Sequence, residues 1–151
     1  MTAFKILLAE DNPNDVELTL EALRESGLVE QVLAVRDGVS ALQYLRREGE
    51  FKGHAPGRPS VLLLDIKMPR MDGIETLGII RNDPALKTLP VVMLSASSED
   101  ADVARCYALG ANAYMVKPVD FKNFIEAVKI LCKFWTELNK MPGEQVYGKA
   151  A

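Results

Sequence analysis

Apolar residues fall in five short runs: Phe4–Ala9, Val32–Val35, Val61–Asp65, Val91–Ser95 and Ala113–Val116. Most are continuous rather than alternating. A strand buried on one face alternates apolar and polar residues, whereas a strand covered on both faces does not. The runs therefore read as parallel strands. Between them the apolar spacing changes to three and four residues, the period of a helix. Pro13–Ser26 places Val16, Leu20 and Leu23 on one face and stops at Gly27. Val39–Glu48 carries Val39, Leu42 and Leu45 and stops at Gly49. Gly73–Arg81 carries Ile74, Leu77 and Ile80, and Glu99–Leu109 follows Ser97 and Ser98, the expected N-caps, and stops at Gly110. Phe121–Leu138 is the longest, with Phe124, Ile125, Val128, Leu131, Cys132 and Trp135.

Strand and helix thus alternate five times. That order predicts an α/β fold with right-handed crossovers: a doubly wound, flavodoxin-like sheet of five parallel strands in the order 2-1-3-4-5. Two stretches interrupt the rhythm. Arg46–Ser60 is rich in Gly and Pro and reads as a long exposed connection, and Pro142-Gly143 ends the last helix. One domain over residues 1–140 is expected, with 141–151 a short tail and no output domain behind it.

Composition narrows the function classes. The 151 residues are 48% hydrophobic and 26% charged, with a net charge of −3. A nucleic-acid partner calls for a basic face, which this balance lacks, and Arg46–Arg47 reads as a solvated helix end. The first apolar run, about six residues, is too short for a membrane span or a secretory leader, so a cytoplasmic location with no membrane partner is expected. Cys106 and Cys132 stand apart from each other and from any His, so they read as core residues rather than metal ligands. His54, the one histidine, reads as a solvated loop residue.

In an open α/β sheet, ligands bind beyond the carboxyl ends of the strands. Glu10 and Asp11 follow the first run, Asp65 ends the third, Ser95 ends the fourth and Lys117 follows the fifth. Three carboxylates close together repel one another, and a hard cation relieves the repulsion. Mg²⁺ suits a few carboxylates completed by water and phosphate. A carboxylate can attack phosphorus, Mg²⁺ and lysine can neutralise the charge that develops, and serine can donate to a phosphoryl oxygen. The set is complete for phosphoryl transfer. Nucleotide loops and a Ser/His/Asp arrangement are missing.

These residues sit in motifs that resemble the receiver domains of two-component response regulators. Ile6-Leu7-Leu8-Ala9-Glu10-Asp11-Asn12 resembles the acidic first-strand motif. Leu63 to Gly73, LLDIKMPRMDG, resembles the phosphoacceptor motif, Val92-Met93-Leu94-Ser95-Ala96 the fourth-strand motif, and Gly110 to Pro118, GANAYMVKP, the fifth. The resemblance covers roughly residues 4 to 138. It implies a regulatory phosphoacceptor rather than an enzyme, one that promotes its own Mg²⁺-dependent phosphorylation and dephosphorylation. Asp65 would be the phosphoacceptor. Asp11, Asp65 and the Lys67 backbone carbonyl would bind Mg²⁺ directly, with Glu10 holding it through water. Ser95 and Lys117 would hold the phosphoryl oxygens. Tyr114 would be the switch aromatic that follows Ser95, and the Lys117–Pro118 peptide would be cis. Lys67 and Ser97 occupy positions where the family varies.

The chain is also similar to small regulators that partner phytochrome-type histidine kinases, in Asn12-Pro13-Asn14-Asp15, in the Arg46–Ser60 connection and in the end of the last helix. That similarity implies a histidine kinase partner of the bacteriophytochrome kind. It also implies a homodimer through the fourth helix, fifth strand and fifth helix, where Val128, Leu131, Trp135 and Leu138 form a stripe. A chain with no output domain could also pass its phosphate to a histidine phosphotransfer protein. Three other readings compete. A pseudo-receiver would lack part of the acid cluster or the lysine. An aspartate-nucleophile phosphatase would carry a second aspartate where Lys67 stands, and a flavin phosphate would be repelled by the carboxylates.

Overall fold

In the computed structural model, which describes residues 3–142, the five apolar runs form one parallel sheet. β1 (Ile6–Ala9), β2 (Val32–Val35), β3 (Val61–Leu64), β4 (Val91–Ser95) and β5 (Ala113–Val116) lie in the order β2-β1-β3-β4-β5. Between and after them run α1 (Pro13–Glu25), α2 (Gly38–Arg46), α3 (Gly73–Asn82), α4 (Asp100–Ala108) and α5 (Phe121–Lys133). The expected fold and strand order are those observed.

The continuous apolar runs are explained by two cores, one on each face of the sheet. Ile6, Leu8, Val61, Leu63 and Val92 point to one face and meet Ala22 and Leu23 of α1 and Phe124, Val128 and Cys132 of α5. Leu7, Ala9, Leu62, Leu64, Val91 and Met93 point to the other and meet α2, α3 and Cys106 of α4. Side chains alternate faces along each strand, so both sets must be apolar. Each fully buried aliphatic side chain contributes on the order of 2 kcal/mol. Both cysteines are buried in these cores, as expected, and burial pushes the Cys132 thiol up to about 12.

Helix starts follow local chemistry. The Asn12 side chain accepts from the N–H groups of Asn14 and Asp15, with Pro13 opening α1. Asp37, Asp72 and Asp120 cap α2, α3 and α5 in the same way. α4 differs from expectation, because its N-cap is Glu99 and that side chain makes no cap bond. The Ser97 hydroxyl, two residues earlier, accepts the Glu99 N–H instead. The last helix also ends differently. α5 gives way to a π-helical turn, Phe134–Leu138, where Thr136 donates to the Cys132 carbonyl and competes for the backbone acceptor. The proposed tail lies, from residue 143 onward, outside the described residues.

Two loop expectations are corrected. Arg47 is not a solvated helix end. It adopts a left-handed conformation (φ 54°), lies 4.1 Å over the Tyr44 ring and donates to the carbonyls of Ala55 and Gly57 at 2.7 and 2.6 Å. His54 is not free in solvent either, but packs edge-on against Tyr44 and Phe51. A Gly/Pro-rich loop has few backbone partners of its own, and a guanidinium can satisfy several of its carbonyls together. Arg46 pairs with Asp83 at 3.1 Å. Among the described residues, no helix is long and apolar enough to cross a membrane.

Arg81 fastens the entries to the last two strands. Its guanidinium donates to Leu89 O at 2.7 Å, Gly110 O at 2.8 Å and Asn112 Oδ1 at 2.9 Å, and Asn112 Oδ1 also accepts the Val91 N–H. Arg81→Met, which keeps the bulk and removes the donors, is expected to cost about 2 kcal/mol in urea unfolding. An unchanged midpoint would mean that water replaces those bonds.

Candidate functional site

Strand register brings the chemistry together. Ala9 pairs with Leu64, Leu64 with Met93, and Ser95 with Val116, so the residues that follow β1, β3 and β5 emerge at one edge beside Ser95. They open onto a cavity of about 770 Å³ lined by Glu10, Asp11, Asp65, Lys67, Ser95 and Lys117, among others. The sequence places all six there, and the structure does too.

At its centre is the Lys117 ammonium. It donates to Glu10 Oε1 at 2.6 Å, Asp15 Oδ2 at 2.8 Å and Asp65 Oδ2 at 3.3 Å. The other Asp65 oxygen accepts the Ile66 N–H at 2.8 Å, and Glu10 Oε2 accepts the Asn12 N–H. Asp11 stands apart on the rim, 41% exposed and 3.7 Å from Arg36. Ser95 is buried, and its Oγ accepts the Ser97 N–H at 3.1 Å. Tyr114 is half-buried and donates its hydroxyl to the Ser97 carbonyl at 2.8 Å.

Sequence reasoning missed Asp15 as a site residue. It lies in the first turn of α1, where acids are common because they complement the helix dipole, so its spacing gave no separate signal. One expectation is corrected: among the described residues no peptide is cis, so Lys117–Pro118 is trans. The trans form of an X–Pro bond is the favoured one, and from it the Lys117 ammonium already reaches all three carboxylates.

The electrostatics are unbalanced in favour of negative charge. Burial, followed by the neighbouring Asp65, pushes the Glu10 carboxyl up to about 7. Burial also works against the Lys117 ammonium, but hydrogen bonds to Asp15 and Glu10 and the charge of Asp65 outweigh it and hold Lys117 above its usual range. One ammonium faces three carboxylates, with a fourth at the rim. Among the described residues no three acidic, His or Cys side chains close into a metal cage. The donors are nonetheless all hard oxygens. Such a set fits a cation that takes one or two carboxylates and fills its remaining positions with water and phosphate.

The loop behind Asp65 is tightly braced. Gly73 passes so close that a Cβ there would lie 2.0 Å from the Asp65 carbonyl, so no larger residue fits without moving that strand end. Gly73 N donates to Ile66 O, and Gly38 N donates to Met71 O. Arg70, at φ 63°, reaches back to Asp37 through Nε at 2.9 Å and Nη2 at 3.1 Å.

The model of the response regulator receiver domain matches residues 6–129. The chain belongs to the response regulator receiver family. Rcp1, a response regulator of Synechocystis, is similar: 36% identical over 137 residues, covering 91% of this chain and 92% of Rcp1. The solved structure of the phosphorylated cyanobacterial phytochrome response regulator RcpA is 39% identical with a TM-score of 0.85, covering 94% of this chain and all of that one. The bacteriophytochrome response regulator RtBRR is 48% identical with a TM-score of 0.74, covering 94% of this chain and 86% of its own. The receiver is a regulatory phosphoacceptor for phosphotransfer from a histidine kinase. Receivers bind a divalent metal, and a Mn²⁺-bound form of Rcp1 has been solved.

The Asp37–Arg70 brace carries a pH signature. Burial opposes ionisation of Asp37, but hydrogen bonds from Arg70 and from Ser40 outweigh it and hold the carboxyl below the usual range. A carboxyl lowered by folding stabilises above its unfolded pKa, about 3.9, and loses that contribution as pH falls through the folded value. The stability advantage of the wild type over Asp37→Asn should be constant from pH 7 to about 5 and shrink below about 4. Urea unfolding at stepped pH measures it, and a difference that widens in acid would contradict the assignment.

Proposed function

We propose that Asp65 accepts the phosphoryl group, with Mg²⁺ as the cation, and that the donor is a histidine kinase of the phytochrome type. The observation that supports this best is the Lys117 ammonium, which gathers Glu10, Asp15 and Asp65 at the edge where Ser95 and Lys67 also open. An Asp65 carboxylate oxygen attacks phosphorus, the P–N bond to the donor imidazole breaks, and the imidazole recovers a proton from water. Glu10, Asp11, Asp65 and the Lys67 carbonyl would hold Mg²⁺, which when bound neutralises charge on the transferring group. Lys117 leaves its carboxylates for a phosphoryl oxygen, and the Ser95 hydroxyl donates to another. Self-catalysed hydrolysis of the aspartyl phosphate belongs to the same reading.

Tyr114 is the aromatic that reports this change, since its hydroxyl already bonds to the segment after Ser95. Residues 1–140 form the receiver and 141–151 a tail, in a cytoplasmic protein, with a histidine phosphotransfer protein as a further acceptor. The similarity to the phytochrome response regulators RcpA and RtBRR supports the choice of kinase.

Incubation with acetyl phosphate and Mg²⁺ should add one phosphoryl group, read as intact mass. Asp65→Asn and a chelator should each abolish the gain, and Lys117→Met should reduce it by about a hundredfold, the scale of losing one charged transition-state donor. Full labelling of Asp65→Asn would move the acceptor elsewhere.

The homodimer through α4, β5 and α5 is part of the proposal. Tyr107, Val116 and Ile130 leave exposed apolar surface on these three elements. Trp135 instead packs partly on its own core and edge-on against Phe134, so it is the weaker probe. Tyr107→Glu with Val116→Lys is expected to yield a monomer in sedimentation equilibrium. A wild-type monomer would reject the dimer.

A further inference from the structure

Ser97 is a joint between the site, the fifth strand and the fourth helix. Its N–H donates to Ser95 Oγ at 3.1 Å, and its carbonyl accepts the Tyr114 hydroxyl at 2.8 Å. Its own hydroxyl donates to Asp102 Oδ2 at 2.7 Å and accepts the Glu99 N–H at 3.3 Å. Asp102 belongs to the first turn of α4, and like Ser97 it lines the cavity that holds Asp65. The short bond to a carboxylate is the strong one of the set, because the acceptor is charged.

The consequence falls on Ser95. A hydroxyl has one proton to give and two lone pairs to accept with. Here one lone pair takes the Ser97 N–H, and Ser95 lines the cavity. That leaves the single proton for an acceptor in the cavity, which on the reading above is a phosphoryl oxygen. Whatever fixes Ser97 therefore fixes the direction in which Ser95 donates.

We infer that Asp102 is a positioning residue for phosphoryl binding: through the Ser97 hydroxyl it holds the segment between β4 and α4 so that Ser95 donates into the cavity. This deepens the proposed function and rests on it. Asp102 does not touch the reacting atoms. It also makes the position of α4 part of the site, because the helix and the serine share one hydrogen bond.

The test is titration of the full chain with beryllofluoride, a phosphoryl mimic, in the presence of Mg²⁺, followed by ¹⁹F NMR. Ser97→Ala and Asp102→Ala should each raise the dissociation constant about tenfold, the scale of one lost charge-assisted hydrogen bond. The double variant should be no worse than either single, since both remove the same link. Ser97→Thr keeps the hydroxyl and should bind within about twofold of the wild type, and Asp102→Asn keeps an acceptor oxygen without its charge and should fall between the wild type and Asp102→Ala, which separates positioning from general damage to the fold. Wild-type binding by both alanine variants, or losses that add in the double variant, would overturn the inference while leaving Asp65 as acceptor. Failure of the wild type itself to bind, with no labelling by acetyl phosphate, would overturn the receiver assignment and this inference together.

Discussion

The site depends on a single buried cation. The Lys117 side chain is 8% exposed, yet it carries full charge because three carboxylates surround it. Remove the ammonium and Glu10, Asp15 and Asp65 would face one another at close range in a partly desolvated edge, which favours protonation or collapse. Remove the acids and the ammonium would lie buried and unpaired. The interaction is also weakly committed. Each contact is a single hydrogen bond that a phosphoryl oxygen can replace, so the lysine can change partners without leaving the cavity.

The rest of the fold serves this convergence. Four of the residues that meet at the edge come from the ends of three strands and the first turn of α1. Only the parallel register and the two apolar cores bring them within reach of one another. Close backbone contact at Gly73 and the Arg70–Asp37 pair then fix the loop behind Asp65 from the side of α2 and α3. The Asp65 carboxylate is thereby held on a rigid strand end while its partners stay exchangeable.

Strand order, helix order and most of the site were legible in the sequence, because they depend on patterns that sequence displays: continuous apolar runs, helical spacing and the motifs around Glu10, Asp65, Ser95 and Lys117. What could not be read depends on side chains that cross between elements. Asp15 looked like an ordinary first-turn acid. Arg47 and His54 looked solvated because a loop sequence does not show which of its carbonyls lack partners. The start of α4 was misassigned to the serines as plain caps, since a hydroxyl two residues ahead of the N-cap can serve it as well as one in place. The trans Lys117–Pro118 peptide marks a further limit, because the energy difference between the two isomers is too small for residue type to decide it.

The loop that Arg47 closes lies before β3, at the amino ends of the strands, while the cavity lies at their carboxyl ends. Its shape is held by the Arg47 guanidinium and one small group of rings, with Arg58 bonded to Thr88 and the Ser60 N–H to Lys5 O where the segment enters the sheet. Phe51 belongs to the core on the α2 and α3 face and Ser60 is buried, so only the exposed tip at Lys52, Gly53 and Pro56 lies clear of the packing that reaches Asp65. A tag or reporter inserted at that tip would ride on the molecule at the end opposite its chemistry.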